Sequence, residues 1–192
     1  LWHCAASNKT SNKNTMRNSG YAKLIRSAES KGQSIVELNI LPGEKTPWHY
    51  HSLFSETFTV LKGTLEVGKG KAIMQLKEGN VATIDANENH YYHNVSHEEC
   101  IITTTIDPGN RNFEHALFIL KGLANDGLAT QAGTPKKFTD LCLFVYLSNS
   151  RMAGFQKFAE PVFNFFAKAA IKKGQLNMLI QKYVIESQKN RS

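Results

Sequence analysis

Between Ser34 and Ile106 apolar and polar residues alternate in short runs broken by Gly, Asn and charged turns, the signature of half-buried strands. The predicted strands are Ser34–Ile40, Trp48–His51, Glu56–Leu61, Thr64–Val67, Lys71–Leu76, Val81–Ile84, His90–Asn94 and Glu99–Ile106. Eight strands at this spacing suit an all-β jelly-roll barrel. Asp107-Pro108-Gly109-Asn110 closes the region, and beyond it the period changes. Phe113, Ala116, Leu117, Leu120 and Ala124 fall on one helical face, with Gly127 as the stop. Further helices are predicted over Thr139–Leu147, Pro161–Lys172 and Gln175–Glu186, the last two separated by Gly174.

These patterns divide the chain into a flexible polar lead-in over residues 1–32, a barrel over 33–110 and a helical extension over 111–192. Phe155, Phe158, Phe163, Phe165 and Phe166 crowd the extension. Aromatic side chains bury large areas, so these are expected to pack on the barrel or on a second subunit, with a membrane surface as the weaker option.

The candidate chemistry lies inside the barrel region, in Gly43-x5-His49-x-His51-x4-Glu56-x6-Gly63 and Gly79-x10-His90-x3-Asn94. On a strand alternate residues share a face, so His49 and His51 point together while Tyr50 looks away. Glu56 shares a face with Phe58 and Val60, which aims a carboxylate into an apolar interior. His90 comes from a second hairpin that turns through Asp85-Ala86-Asn87-Glu88-Asn89. Side chains on such separate strands converge only if the sheet curls into a barrel. Three imidazoles and one carboxylate suit a borderline divalent cation and can leave coordination positions open. His93 falls on the face opposite His90, and His97, His3 and His115 lie outside the pattern. Tyr92 shares the face of His90, which makes it a candidate neighbour of the site, with core packing the plainer alternative. Phe58, Val60, Met74, Ile84 and Ile102 are expected to line the barrel as packing residues or pocket wall.

The two motifs resemble those of the cupin superfamily. The first is complete; in the second, Asp85 and Asn87 stand where the family usually has Pro and Gly, and Asn tolerates the left-handed conformation Gly would supply. The chain as a whole looks like a small single-domain bacterial cupin-domain protein with a helical extension. The resemblance implies a double-stranded β-helix with the C-terminal helices packed outside it. It also implies His49, His51, Glu56 and His90 as ligands of one divalent transition metal (Fe, Mn, Ni, Cu or Zn), and Gly43, Gly63 and Gly79 as turn residues. Cupins with this ligand set are often dioxygenases or related oxidoreductases, which implies a metal-dependent oxidoreductase acting on a small organic molecule in the barrel. The alternatives are a metal-dependent isomerase or lyase, or a module that binds a metal or small ligand without turnover.

Composition narrows the surroundings. With 41% hydrophobic and 20% charged residues the chain is an ordinary globular one. The net charge of +7 is uneven: residues 1–32 hold six Lys/Arg against one acid, 33–150 nine against thirteen, and 151–192 eight against two. A mildly acidic barrel with basic ends, and no reading motif at either end, argues against nucleic acid. The default for both ends is a solvated surface, with attraction to an anionic membrane a minority alternative. Cys4, Cys100 and Cys142 form neither a disulfide framework nor a thiolate metal site, so a reducing, cytoplasmic compartment is the simplest expectation. The chain begins at Leu1 rather than at methionine, which leaves an upstream signal open. A homodimer is the expected assembly.

Overall fold

The computed structural model describes residues 20–28, 32–152 and 154–186. Ten strands form two five-stranded antiparallel sheets. One sheet has the order β1 (Ala22–Arg26), β2 (Ser34–Ile40), β9 (Cys100–Asp107), β4 (Ser55–Lys62) and β7 (Val81–Ile84). The other has the order β10 (Ser150–Met152), β3 (His49–His51), β8 (His90–His93), β5 (Thr64–Lys69) and β6 (Ala72–Lys77). The two sheets face each other with alternate side chains turned inward, as the strict alternation of burial along β4 and β9 records.

The predicted strands are all present, but the barrel is not eight-stranded and the chain is not strictly all-β. Two short strands came from regions assigned otherwise. β1 belongs to the expected flexible lead-in, yet it pairs from Ala22 opposite Leu38 to Arg26 opposite Ile35. β10 lies in the helical extension and pairs Ser150 with His51 and Met152 with His49. Both runs are too short to carry a period of their own, and each exists because an edge strand of the barrel offers it unpaired backbone groups.

The inward positions of the barrel make the core: Val36, Leu38, Ile40, Phe58, Val60, Leu65, Val67, Ile84, Ile102 and Ile106 are all buried. Of the residues expected to line the barrel, Phe58, Val60, Ile84 and Ile102 are core and Met74 packs partly buried against it. Two turns are conformationally demanding. Gly63 has φ +85°, and a Cβ there would sit 2.9 Å from the Glu99 carbonyl oxygen. Asn87 has φ 68°, the left-handed conformation expected where Asn replaces Gly in the second hairpin.

After the barrel the chain turns helical. α1 spans Arg111–Asn125 and is capped by Asn110, whose side-chain oxygen accepts from Phe113 N–H at 3.1 Å. α2 (Phe138–Leu147), a 3-10 turn (Gly154–Ala159), α3 (Glu160–Lys172) and α4 (Gln175–Ile180) follow, and a π-helical turn (Gln181–Ile185) ends the described chain. These helices pack outside the strands, and one of them also reaches inward. Phe113 of α1 reaches the barrel interior, where its ring lies 5.1 Å from Phe54 and 5.6 Å from His51. The helices therefore roof the open end of the barrel.

Two buried polar anchors hold that roof. Glu114 of α1 accepts from Ser34 Oγ at 2.6 Å, Ala28 N–H at 2.8 Å and Ser27 Oγ at 3.2 Å. Lys121 of α1 donates to Glu44 Oε1 at 2.5 Å and to the Asn39 carbonyl at 2.7 Å, with both charged side chains buried. At the far end Gly122 gives Tyr183 of the π-helical turn a close seat, since a Cβ there would lie 2.2 Å from the tyrosine ring.

Candidate metal centre

The strands bring the four sequence-predicted side chains to one point. His49 of β3 and His90 of β8 are directly opposite each other across the strand pair. His51 follows two residues along β3 on the same face. Glu56 reaches the same point from β4 of the facing sheet. One candidate ligand atom from each residue can be chosen so that all lie within 4.8 Å of one another. Among the described residues no other group of this kind occurs.

Hydrogen bonds behind the imidazoles orient them. His49 Nδ1 lies 2.8 Å from the Pro47 carbonyl and His90 Nδ1 lies 3.0 Å from the Glu88 carbonyl. A carbonyl only accepts, so each Nδ1 carries the proton and each Nε2 is left with its lone pair. His90 Nε2 nevertheless sits 3.1 Å from Glu56 Oε2, and His51 Nε2 sits 3.5 Å from the same oxygen. At His90 this sets an imidazole lone pair against a buried carboxylate oxygen, an arrangement that a cation, either a proton or a metal ion, stabilises. The donor set thus fits a divalent transition metal.

The electrostatics agree. Burial alone would raise the Glu56 carboxyl, but hydrogen bonds from His51 and His90 and their charge outweigh it and hold Glu56 far below the usual carboxylate range. Burial lowers His90, yet its bond to Glu56 and that residue's charge prevail, so His90 is raised. His49 is lowered to about 3, first by burial and then by its neighbours His90 and His51. The metal-free arrangement favours a proton on His90 held against an ionised Glu56.

Comparison with known proteins assigns the fold that carries this site. Residues 36–106 match the family model described as "Cupin domain". This stretch is a cupin domain. The solved structures similar to the chain include a double-stranded β-helix protein from Klebsiella pneumoniae, 23% identical, covering 48% of this chain and 80% of its own, with a TM-score of 0.42. A cupin-2 domain protein from Shewanella frigidimarina is 21% identical over 44% of this chain and 78% of its own, TM-score 0.38. A predicted oxalate decarboxylase from Thermotoga maritima is 18% identical over 46% of this chain and 80% of its own, TM-score 0.44. None of the curated proteins matches the chain.

Within the cupin domain the remaining candidates separate cleanly. Tyr92 is buried, packs edge-on against Phe58 at 6.1 Å and lines the same cavity as His49, His51 and Glu56. Burial, with the charges of Glu44 and Glu56, pushes its hydroxyl well above the usual tyrosine range, so it remains an O–H donor. His93 turns away and lies 3.9 Å from Glu66, while His97 is exposed. His115 lies on α1, and His3 and Cys4 lie outside the described residues. Cys100 and Cys142 are buried free thiols, and burial raises both, Cys100 to about 11.

Sequence reasoning missed Thr104. Its hydroxyl donates to Glu56 Oε1 at 2.8 Å from a fully buried position on β9. Thr104 stands opposite Phe58, two residues along the same face from Glu56, which makes the two diagonal neighbours in the sheet. A polar residue on the inward stripe of Cys100, Ile102 and Ile106 was the available signal.

The site opens into a chamber of about 770 Å³. Its barrel side includes His49, His51, Glu56 and Tyr92, and its helical side includes Phe113, Leu117, Leu120, Leu141, Phe144 and Phe163. The lining is mostly apolar, with Lys45 and Arg151 among its few charged members besides the site itself. That helical wall was not foreseeable from the barrel motifs.

Proposed function

We propose that this cupin is a metal-dependent, dioxygenase-like oxidoreductase. One divalent transition metal is held by His49, His51, Glu56 and His90, and the substrate is a small, largely apolar organic molecule. The observation that carries this reading is the convergence of four donors, three of which (His49, His51 and Glu56) lie in the wall of a mostly apolar chamber. A bound ion of this kind supplies Lewis acidity and, where it is redox-active, dioxygen chemistry.

The chain's own residues supply orientation and exclusion of water. The Pro47 and Glu88 carbonyls hold two imidazoles in one tautomer, and Thr104 holds Glu56. His51 is clamped between Phe54, stacked at 4.7 Å, and the edge of Phe113. These rings shield the ligand side while Leu117, Leu141 and Phe144 receive the apolar body of a substrate. Tyr92 can donate a hydrogen bond to an oxygen on that substrate.

The first test is elemental analysis of the purified protein beside its His51→Ala and Glu56→Ala variants. About one equivalent of iron, manganese, nickel, copper or zinc is expected in the parent and much less in both variants, which should still fold. Equal metal content in all three would remove the ligand assignment. Oxygen consumption by the loaded protein with apolar oxygen-bearing compounds then separates an oxidoreductase from an isomerase or lyase, which use no oxygen, and from a binding module, which has no turnover.

A further inference from the structure

We propose that α3 and the 3-10 turn before it form a docking face for an anionic lipid bilayer. The inward side of α3 buries Ala167 and Ala170, as any surface helix would. Its outward side is apolar as well. Phe165 is 68% exposed, Val162 50% and Phe166 39%, and Phe158 just before the helix is 77% exposed. Met178 on α4 and Phe138 on α2 add two more exposed apolar side chains, at 65% and 45%. The rings of Phe138, Phe165 and Phe166 touch in sequence at 5.3 and 5.5 Å, so at least these three form one continuous patch. A helix apolar on both sides is normally buried on both, and within the described residues nothing covers the outer side.

Charge decides what covers it. Lys157 lies 5.6 Å from the Phe158 ring, and Lys168, Lys172 and Lys173 are exposed on α3 and at its end. Residues 151–192 hold eight Lys/Arg against two acids, and one of those acids, Glu160, is engaged by Arg151 at 3.3 Å. A second copy docked through this face would bring two such basic segments together. An anionic surface instead is attracted to the lysines, whose stems extend along apolar surface while the phenylalanines enter the interface. The chamber supports a bilayer over an acidic peptide: Phe158, exposed just before α3, also lines the chamber, so the chamber's rim lies beside the surface that would touch lipid. An apolar ligand could then pass from the bilayer into the chamber without crossing water.

The test is sedimentation of the full chain with vesicles, which needs neither metal nor substrate and so stands or falls apart from the oxidoreductase reading. The protein should pellet with vesicles of phosphatidylcholine and phosphatidylglycerol in equal parts and stay in solution with phosphatidylcholine alone. The Val162→Ser/Phe165→Ser variant, whose changed residues are exposed, lie outside the chamber lining and leave the melting temperature and metal content unaltered, should bind at least about tenfold more weakly. Lys168→Glu/Lys172→Glu/Lys173→Glu should do the same by weakening the electrostatic attraction. Three results each overturn the proposal: no binding to the anionic vesicles, binding that ignores the two serine substitutions, or a dimer that the double serine variant turns into a monomer. Binding to polyglutamate that is as tight as to vesicles and is weakened by the same two substitutions would replace the bilayer with an acidic protein partner.

Discussion

Replacing Thr104 with Val tests whether the candidate metal centre is held from behind as its geometry indicates. The two side chains have nearly the same shape, so the change deletes one hydroxyl from a fully buried position and leaves packing on β9 intact. What is lost is the 2.8 Å bond to Glu56 Oε1. Glu56 is held ionised, and a hydrogen bond to a buried charged group contributes about 1.5 to 3 kcal/mol. If the whole loss fell on metal binding, the affinity would drop by about 10- to 100-fold, the range seen for partners of metal ligands. Part of the loss instead destabilises the metal-free fold, because the bond exists there too, so affinity and folding stability must be measured together. Chelator competition on the metal-free protein gives the first and urea unfolding gives the second. Thr104→Ser keeps the hydroxyl and should retain most of the affinity. If Thr104→Val binds metal within twofold of the parent and unfolds at the same urea concentration, Glu56 does not depend on Thr104 and the support argument fails.

Other expectations follow from single features. In the metal-free protein His90 is raised above 6.5, so its contribution to stability is complete below that value and is lost as pH rises through the raised value. The lowered His49 works the other way, losing stability as pH falls through 6.5, so the His90 effect is read above pH 7: with chelator present stability should decline from there to pH 9, and saturating metal should abolish the decline by taking the proton's place. Lys121→Met strands Glu44 as a buried, unpaired carboxylate, which costs about 3 to 5 kcal/mol by urea unfolding. Adding Glu44→Gln to that variant should recover part of the loss. Gly122→Ala forces a methyl group against Tyr183 and should cost about 1 to 3 kcal/mol in the same assay, while Gly127→Ala, with open space around it but φ +72°, tests backbone strain alone. His93→Ala should leave metal content unchanged, since His93 faces Glu66 and not the site.

Much of the site was legible because strand geometry is local. The spacing of His49 and His51 places them on one face of any strand, and the alternation through Glu56, Phe58 and Val60 turns the carboxylate inward wherever that strand lies. Asn87 could be read as a left-handed turn residue because that capacity belongs to the side chain itself. The additional strands could not be read this way. Ala22–Arg26 and Ser150–Met152 acquire strand conformation from the partners that accept their hydrogen bonds. The phenylalanines of the extension divide for a similar reason: Phe163 turns inward to the chamber, Phe158 stands exposed at its rim, and Phe165 and Phe166 remain outside, a choice made by how α3 lies on its neighbours. The side chain of Phe155 lies outside the described residues.

By itself, then, the order of residues determined a strand-rich cupin domain and the identity of four convergent donors, since both depend on periodicity and side-chain chemistry within short stretches. Only the tertiary structure decided what surrounds those donors. The hydroxyl of Thr104, the ring of Phe113 and the helical wall of the chamber reach the centre from positions 48 or more residues away from Glu56 along the chain. No short-range pattern records such contacts, because they are chosen by which sheet edge and which helix face can bury apolar surface together.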